Sequence, residues 1–239
     1  MIKLFIFCAT FVGIGEAKAF EPNVRVNCDS LGDQISPFLV SSSESLYVVW
    51  NDSGSGGIRF SKSANGGLDW STSNPWINDT TFSAKTYPSI AIAGNILYVA
   101  WENAWRFDKS TDYGVNWGID VCPSDTLCGV ISPNTCSFVA NGDTIYMVFL
   151  RSPLLTLNFQ VYFVKSEDGG VNWTKAKRIS ASPMGLCYAV SLAIDEMSNI
   201  YAVWRDEMVI GFTKSSDGGV NWTPPTHEIA DSTFIDLCP

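Results

Sequence analysis

The chain has 239 residues, with 15 Lys and Arg against 24 Asp and Glu and a formal charge of −9. Hydrophobic residues make up 46 % and charged residues only 16 %, which excludes a disordered or coiled-coil chain, and the acidic excess argues against a nucleic-acid partner. An aromatic share of 13 % points to β structure, while a lone histidine, His227, leaves no basis for a His-rich metal centre; no metal or cofactor is expected.

Residues 1–19 read as a secretory signal peptide: Lys3, an apolar run from Leu4 to Ile14, then Ala17-Lys18-Ala19 before a cut at Phe20. Cys8 leaves with it. Six cysteines remain (Cys28, Cys122, Cys128, Cys136, Cys187 and Cys238), an even number in a chain bound for an oxidising compartment, so disulfides are expected. Only Cys122 and Cys128 are close enough in sequence to suggest a local pair. No later stretch is long enough to span a bilayer. The expected location is secreted, periplasmic or at the cell surface.

Residues 20–239 then repeat, with units near 35–80, 86–130, 134–183 and 187–232. Each opens on a short apolar run: PFLV from Pro37, PSIAIA from Pro88, SFVA from Ser137, SLAI from Ser191. A second run follows, ending at Trp50, Trp101, Phe149 and Trp204, with a tyrosine inside it (Tyr47, Tyr98, Tyr146, Tyr201) that reads as core. A third carries Phe60, Phe107, Phe163 and Phe212, each followed two residues later by lysine. Next comes S-x-(D/N)-x-G-x-x-W, as SANGGLDW, STDYGVNW, SEDGGVNW and SSDGGVNW, whose tryptophans (Trp70, Trp117, Trp173, Trp222) recur about every 50 residues. A fourth stretch such as KAKRIS (Lys175 to Ser180) or HEIA (His227 to Ala230) completes the unit. Four strands in about 50 residues is the size of a propeller blade, and the runs are too short and too often broken by Gly, Asn and Ser for helices.

In the turn, Asn65, Asp112, Asp168 and Asp217 accept hydrogen bonds from their own backbone, and Gly67, Gly114, Gly170 and Gly219 permit positive φ. These four segments resemble the Asp-box, or bacterial neuraminidase repeat, of sialidases and other secreted propellers. The resemblance covers nearly all of residues 20–239. It implies an all-β propeller of four-stranded blades, about four of them present, with the boxes as structural turns opposite the active face. The leading NVRVNC (23–28) and the trailing Cys238-Pro239 are surplus to four units, so an incomplete ring is expected, with four-bladed closure as the alternative.

A sialidase-like site would draw on residues just after each second strand. The ligand-binding candidates are Asp52, Glu102, Arg151, Arg205, Asp206 and Glu207, a mixed-charge rim suited to hydroxyl-rich or carboxylate ligands. Arg59 and Arg106, on the third strands, are expected to face away from it. The resemblance implies an arginine triad, an acid/base aspartate and a tyrosine nucleophile with its glutamate. Asp52 matches the acid/base position. The first arginine, in an R-I-P segment, is replaced here by Ile35-Ser36-Pro37, and no tyrosine in the chain can be assigned as the nucleophile. The reading is therefore a sialidase-like propeller that binds a glycan or extracellular protein without catalysis. Its alternatives are an exo-sialidase or related glycoside hydrolase, and an extracellular assembly scaffold.

Overall fold

The computed structural model describes residues 23–28, 32–54, 56–79, 87–101, 106–122, 131–152, 159–181, 187–206 and 209–225. The signal segment 1–19, the HEIA run, Cys8, Glu102, Cys128, Glu207, His227 and Cys238 lie outside these. The described residues form thirteen strands and no helix, and none is part of a helix long and apolar enough to cross a membrane.

Four antiparallel meanders follow in chain order. The first holds β1 (Gln34–Ser42), β2 (Ser45–Asp52) and β3 (Gly57–Ser63), and the second β4 (Ser89–Ala93), β5 (Ile96–Trp101) and β6 (Arg106–Ser110). The third holds β7 (Ile131–Asn141), β8 (Thr144–Arg151), β9 (Gln160–Ser166) and the short β10 (Lys177–Arg178). The fourth holds β11 (Cys187–Ile194), β12 (Ile200–Asp206) and β13 (Val209–Ser215). Among the described residues only the third sheet has the expected fourth strand. In the first two, the chain returns as single bridges, Trp76 against Arg59 and Val121 against Phe107.

The opening strands β1, β4, β7 and β11 pack in succession, and each pair of neighbouring sheets encloses a core. Tyr47, Val49 and Phe60 of the first sheet meet Leu97, Val99 and Trp101 of the second. Tyr98, Ala100 and Phe107 meet Ile145, Met147 and Phe149. Val148, Val161 and Phe163 meet Ile200, Ala202 and Trp204. A middle strand between two such cores is buried on both faces, so Ile145 to Leu150 of β8 read as one continuous apolar run. On β12, Ile200, Ala202, Trp204 and Asp206 are buried while Tyr201, Val203 and Arg205 are not, the alternation of a sheet covered on one side.

Register places the two ends of each sheet. Ser42 opposes Ser45 at the first hairpin, whereas Gln34 opposes Asp52 at the other end. The box follows β3, whose last residue, Ser63, pairs with Leu46, so boxes and first hairpins share an end. Gly66 N donates to Glu44 O at 2.8 Å and Gly169 N to Asp143 O at 2.8 Å, which ties each of these boxes to its own hairpin.

The third box shows how its polar groups are used. Ser166 Oγ donates to Asp168 Oδ1 at 2.9 Å and accepts from Gly170 N at 2.9 Å. Asp168 also takes Asn172 N at 2.8 Å and Asn172 Nδ2 at 2.7 Å, and Trp173 Nε1 donates to Gly170 O at 2.9 Å. Hydrogen bonds from the Asn116 and Asn172 backbones, aided by their side-chain amides, hold Asp112 and Asp168 down at about 2. The first box keeps the same pairing of one amide with one carboxylate but swaps their places: Asn65 Nδ2 donates to Asp69 Oδ2 at 2.9 Å.

The tryptophan does more than pack beneath its own turn. Trp117 meets Phe60 of the preceding sheet edge-on at 5.3 Å, Trp173 meets Phe107 at 5.5 Å, and Trp222 meets Phe163 at 5.0 Å. All four tryptophans are half-buried. The box glycine lies flat on the same phenylalanine: a Cβ on Gly170 would sit 2.3 Å from Phe107 Cε1. Lysine adds a third link, Lys62 Nζ donating to Tyr113 O at 3.3 Å and Lys109 Nζ to Gly169 O at 3.0 Å.

The cysteines correct one expectation. Cys28, Cys136 and Cys187 form no disulfide, whereas Cys122 is disulfide-bonded. Cys136 packs against the core between the second and third sheets and Cys187 within that between the third and fourth, so each serves as a small apolar group in a different core. The Cys28 thiol donates to Asn74 Oδ1 at 2.9 Å.

Candidate functional site

Lysine and tryptophan links hold the box ends of successive sheets together, so the opposite ends also gather on one rim. There β2, β5, β8 and β12 end in Asp52, Trp101, Arg151 and Asp206. Asp52, Arg151, Arg205 and Asp206, four of the six rim candidates, thus lie at strand ends on this side; Glu102 and Glu207 lie outside the described residues.

Asp52 is only 1 % exposed. Its Oδ2 takes Arg59 Nε at 3.2 Å, and its carbonyl takes Gly56 N at 2.9 Å in the turn that follows β2. Arg59 lies over the Trp76 ring at 3.6 Å and donates from Nη1 to Asn74 O at 2.9 Å. Arg59, expected to face away, is therefore drawn back onto the Asp52 carboxylate. It was missed because strand position alone says nothing of how far a long side chain reaches.

The other arginines are more open. Arg151, half-buried, sits 5.7 Å from the Tyr162 ring centroid, and that ring stacks on Phe149 at 6.0 Å. Arg205, exposed, sits 5.4 Å from the exposed Tyr188. A cation over a tyrosine face is held by the ring's quadrupole. Nothing in the repeat marked Tyr162 or Tyr188, since neither recurs at a matching place in all four units. Asp206 is buried and faces the Cys187 thiol, which burial and then the Asp206 charge push up to about 11. Ile35 opposes Asn51 at the start of β1. An apolar side chain thus stands where the resemblance calls for a carboxylate-binding arginine.

A second acidic group lies where the chain returns beside the second sheet. Asp79 N donates to Asp120 Oδ2 at 3.1 Å and Asp120 N to Asp79 Oδ2 at 2.8 Å. Burial, with the charges of Asp120 and Asp79, pushes nearby Asp108 up to about 6 despite the bond it accepts from Lys109 N. Among the described residues no group of His, Cys, Asp or Glu is arranged to hold a metal ion.

No protein-family model and no curated protein matches the chain. Solved structures match its fold. A protein of unknown function from Dyadobacter fermentans superposes with a TM-score of 0.68 at 13 % identity, over 84 % of this chain and 71 % of that one. YCF48 from Cyanidioschyzon merolae gives 0.54 at 17 %, over 85 % and 59 %. The GH93 α-L-arabinofuranosidase of Fusarium graminearum, solved with arabinobiose, gives 0.57 at 12 %, over 77 % and 63 %. At such identities the likeness is one of fold: an all-β, propeller-like array of antiparallel sheets.

Proposed function

We propose that this is a secreted sialidase-like propeller that binds an extracellular glycan, or a protein bearing one, at the strand-end rim without turning it over. The observation that carries the reading is the pair of arginines at the rim, Arg151 and Arg205, each set against a tyrosine ring. Guanidinium groups match carboxylates and vicinal hydroxyls, and an accessible tyrosine face offers a platform for the apolar face of a sugar ring. The absence of turnover rests on Asp52. A general acid must come within hydrogen-bond reach of the leaving oxygen, and this carboxylate is buried and paired with Arg59.

Purified protein on a glycan array tests binding, with acidic glycans expected to be retained and Arg205→Ala expected to lose most of the signal. A fluorogenic sialoside tests turnover, and none is expected. Hydrolysis abolished by Asp52→Ala would replace this reading with a glycoside hydrolase, a class to which the structurally similar Fusarium enzyme belongs. Neither binding nor hydrolysis would leave the scaffold reading.

A further inference from the structure

The outer edges of the first two sheets are clasped together. Asp79 follows the segment in which Trp76 bridges to Arg59, and Asp120 precedes Val121, which bridges to Phe107, so each stands where its unit returns beside its own third strand. Each backbone N–H donates to the other's carboxylate, Asp79 N to Asp120 Oδ2 at 3.1 Å and Asp120 N to Asp79 Oδ2 at 2.8 Å.

Behind the clasp lies Asp108. On β6 it follows Phe107, which enters the core shared with the third sheet, so its side chain takes the opposite face. It is 2 % exposed. Its Oδ1 accepts from Lys109 N at 2.7 Å, but its Oδ2 has no hydrogen-bond partner among the described residues, and neither has the buried Oδ1 of Asp120. A buried carboxylate oxygen without a donor is costly, and a second carboxylate beside it makes it more so. The described surroundings do little to neutralise the pair. Val99 stands opposite Asp108 on β5, Lys109 Nζ is turned away to Gly169 O, Arg59 is held by Asp52, and Arg106 acts on Asp120. Burial raises the pKa of both Asp108 and Asp120, and the Asp79 charge raises both further.

We propose that Asp108 and Asp120 share one proton, carried on Asp108 Oδ2 and donated to Asp120 Oδ1, and that this proton keeps the Asp79–Asp120 clasp shut as a pH-sensitive latch between the first two sheets. In mild acid the O–H satisfies both bare oxygens at once. As pH rises the proton leaves to water, and two carboxylates face each other in a poorly solvated place. Asp108 is pinned to its own strand by Lys109 N, whereas Asp120 is only half-buried, so Asp120 swings out and Asp79 N loses its acceptor. The core between the sheets stays closed and their outer edges part.

Hydrogen exchange of the full chain, read by NMR at the Asp79 and Asp120 amides and corrected for the intrinsic rate at each pH, tests this. Asp108 sits at about 6 with the latch shut and returns toward the ordinary carboxylate value with it open, so the open fraction is expected to rise about tenfold between about pH 5 and 8. Asp108→Asn puts an N–H where the O–H was and is expected to stay protected at every pH. Asp120→Asn, whose amide can donate to Asp108 while its oxygen still accepts from Asp79 N, stands in for it if dichroism shows the first variant misfolded. Infrared spectroscopy reads the proton itself, as a buried carboxylic acid band that titrates near 6 in wild type and is missing from Asp108→Asn. Wild-type exchange that ignores pH would overturn the proposal, as would an Asp108→Asn chain that keeps the wild-type pH dependence. Calcium that restores protection at the alkaline end in wild type but not in Asp108→Asn would overturn it as well, by placing a cation and not a proton between the carboxylates.

Discussion

Gly170→Ala separates the two demands that the box places on its glycine. The residue has φ of +88°, so any L side chain is strained by roughly 1–2 kcal/mol from the clash of Cβ with the neighbouring carbonyl. The new methyl would also lie 2.3 Å from Phe107 Cε1 and 2.8 Å from its Cζ. That ring is fully buried and wedged between Tyr98 and Trp173, so it cannot swing aside. Overpacking of this kind costs about 1–3 kcal/mol more, for a total of about 2–5 kcal/mol. Gly66→Ala is the control: its φ is +69°, but no atom lies within 4 Å of the new methyl among the described residues, so only the conformational cost of about 1–2 kcal/mol applies. Guanidinium unfolding followed by tryptophan fluorescence and by far-ultraviolet dichroism gives both losses, with the two probes compared because a stacked array need not unfold in one step. Equal losses at Gly66 and Gly170 would show that the seat on Phe107 contributes nothing, and the account of how sheets are coupled would fail with it.

Asp52→Ala should lower stability by about 1–3 kcal/mol, because Arg59 loses its carboxylate while still covered by Trp76; Asp52→Asn should cost less, and denaturant midpoints measure both. Asp108 has a folded pKa raised to about 6, so the fold favours its protonated form and is penalised as pH rises through the interval from the unfolded value to 6. Asp108→Asn should therefore stabilise the protein at pH 7, by an amount on the order of 1–3 kcal/mol that vanishes below about pH 4, as read from midpoints across that range. Asp112 and Asp168 have the opposite sign: their folded values lie near 2, so the stability they confer is present above the unfolded carboxylate pKa and is lost as pH falls toward 2. The double variant Asp112→Asn/Asp168→Asn should show a shallower acid-side decline than wild type in the same titration.

The repeat made much of the fold legible. Fixed offsets from Phe to Lys to box to Trp can be read without any partner, because each unit solves the same local problem with the same residues. Asn65 was read on equal terms with the three aspartates, and the Asn65–Asp69 exchange gives the reason: each of these turns pairs one amide with one carboxylate, whichever place holds which. The rim was less legible. Asp52 reads as a loop residue at the end of a strand, and only the bridge between Trp76 and β3 brings Arg59 and its covering ring against it. The expectation of paired cysteines failed at Cys136 and Cys187 because spacing along the chain does not reveal which core each one enters.

Seating each box on the sheet before it also gives the array a direction in time. When Phe60 leaves the ribosome its own sheet can form at once, yet the Trp117 that covers it follows about 60 residues later, and the same delay separates Phe107 from Trp173 and Phe163 from Trp222. At every stage of synthesis one sheet has its hydrogen bonds complete and its Tyr–Phe face bare. Such a face is the species that chaperones bind and that aggregates grow from, and a pause just after a box holds a completed sheet in that state until the next box emerges.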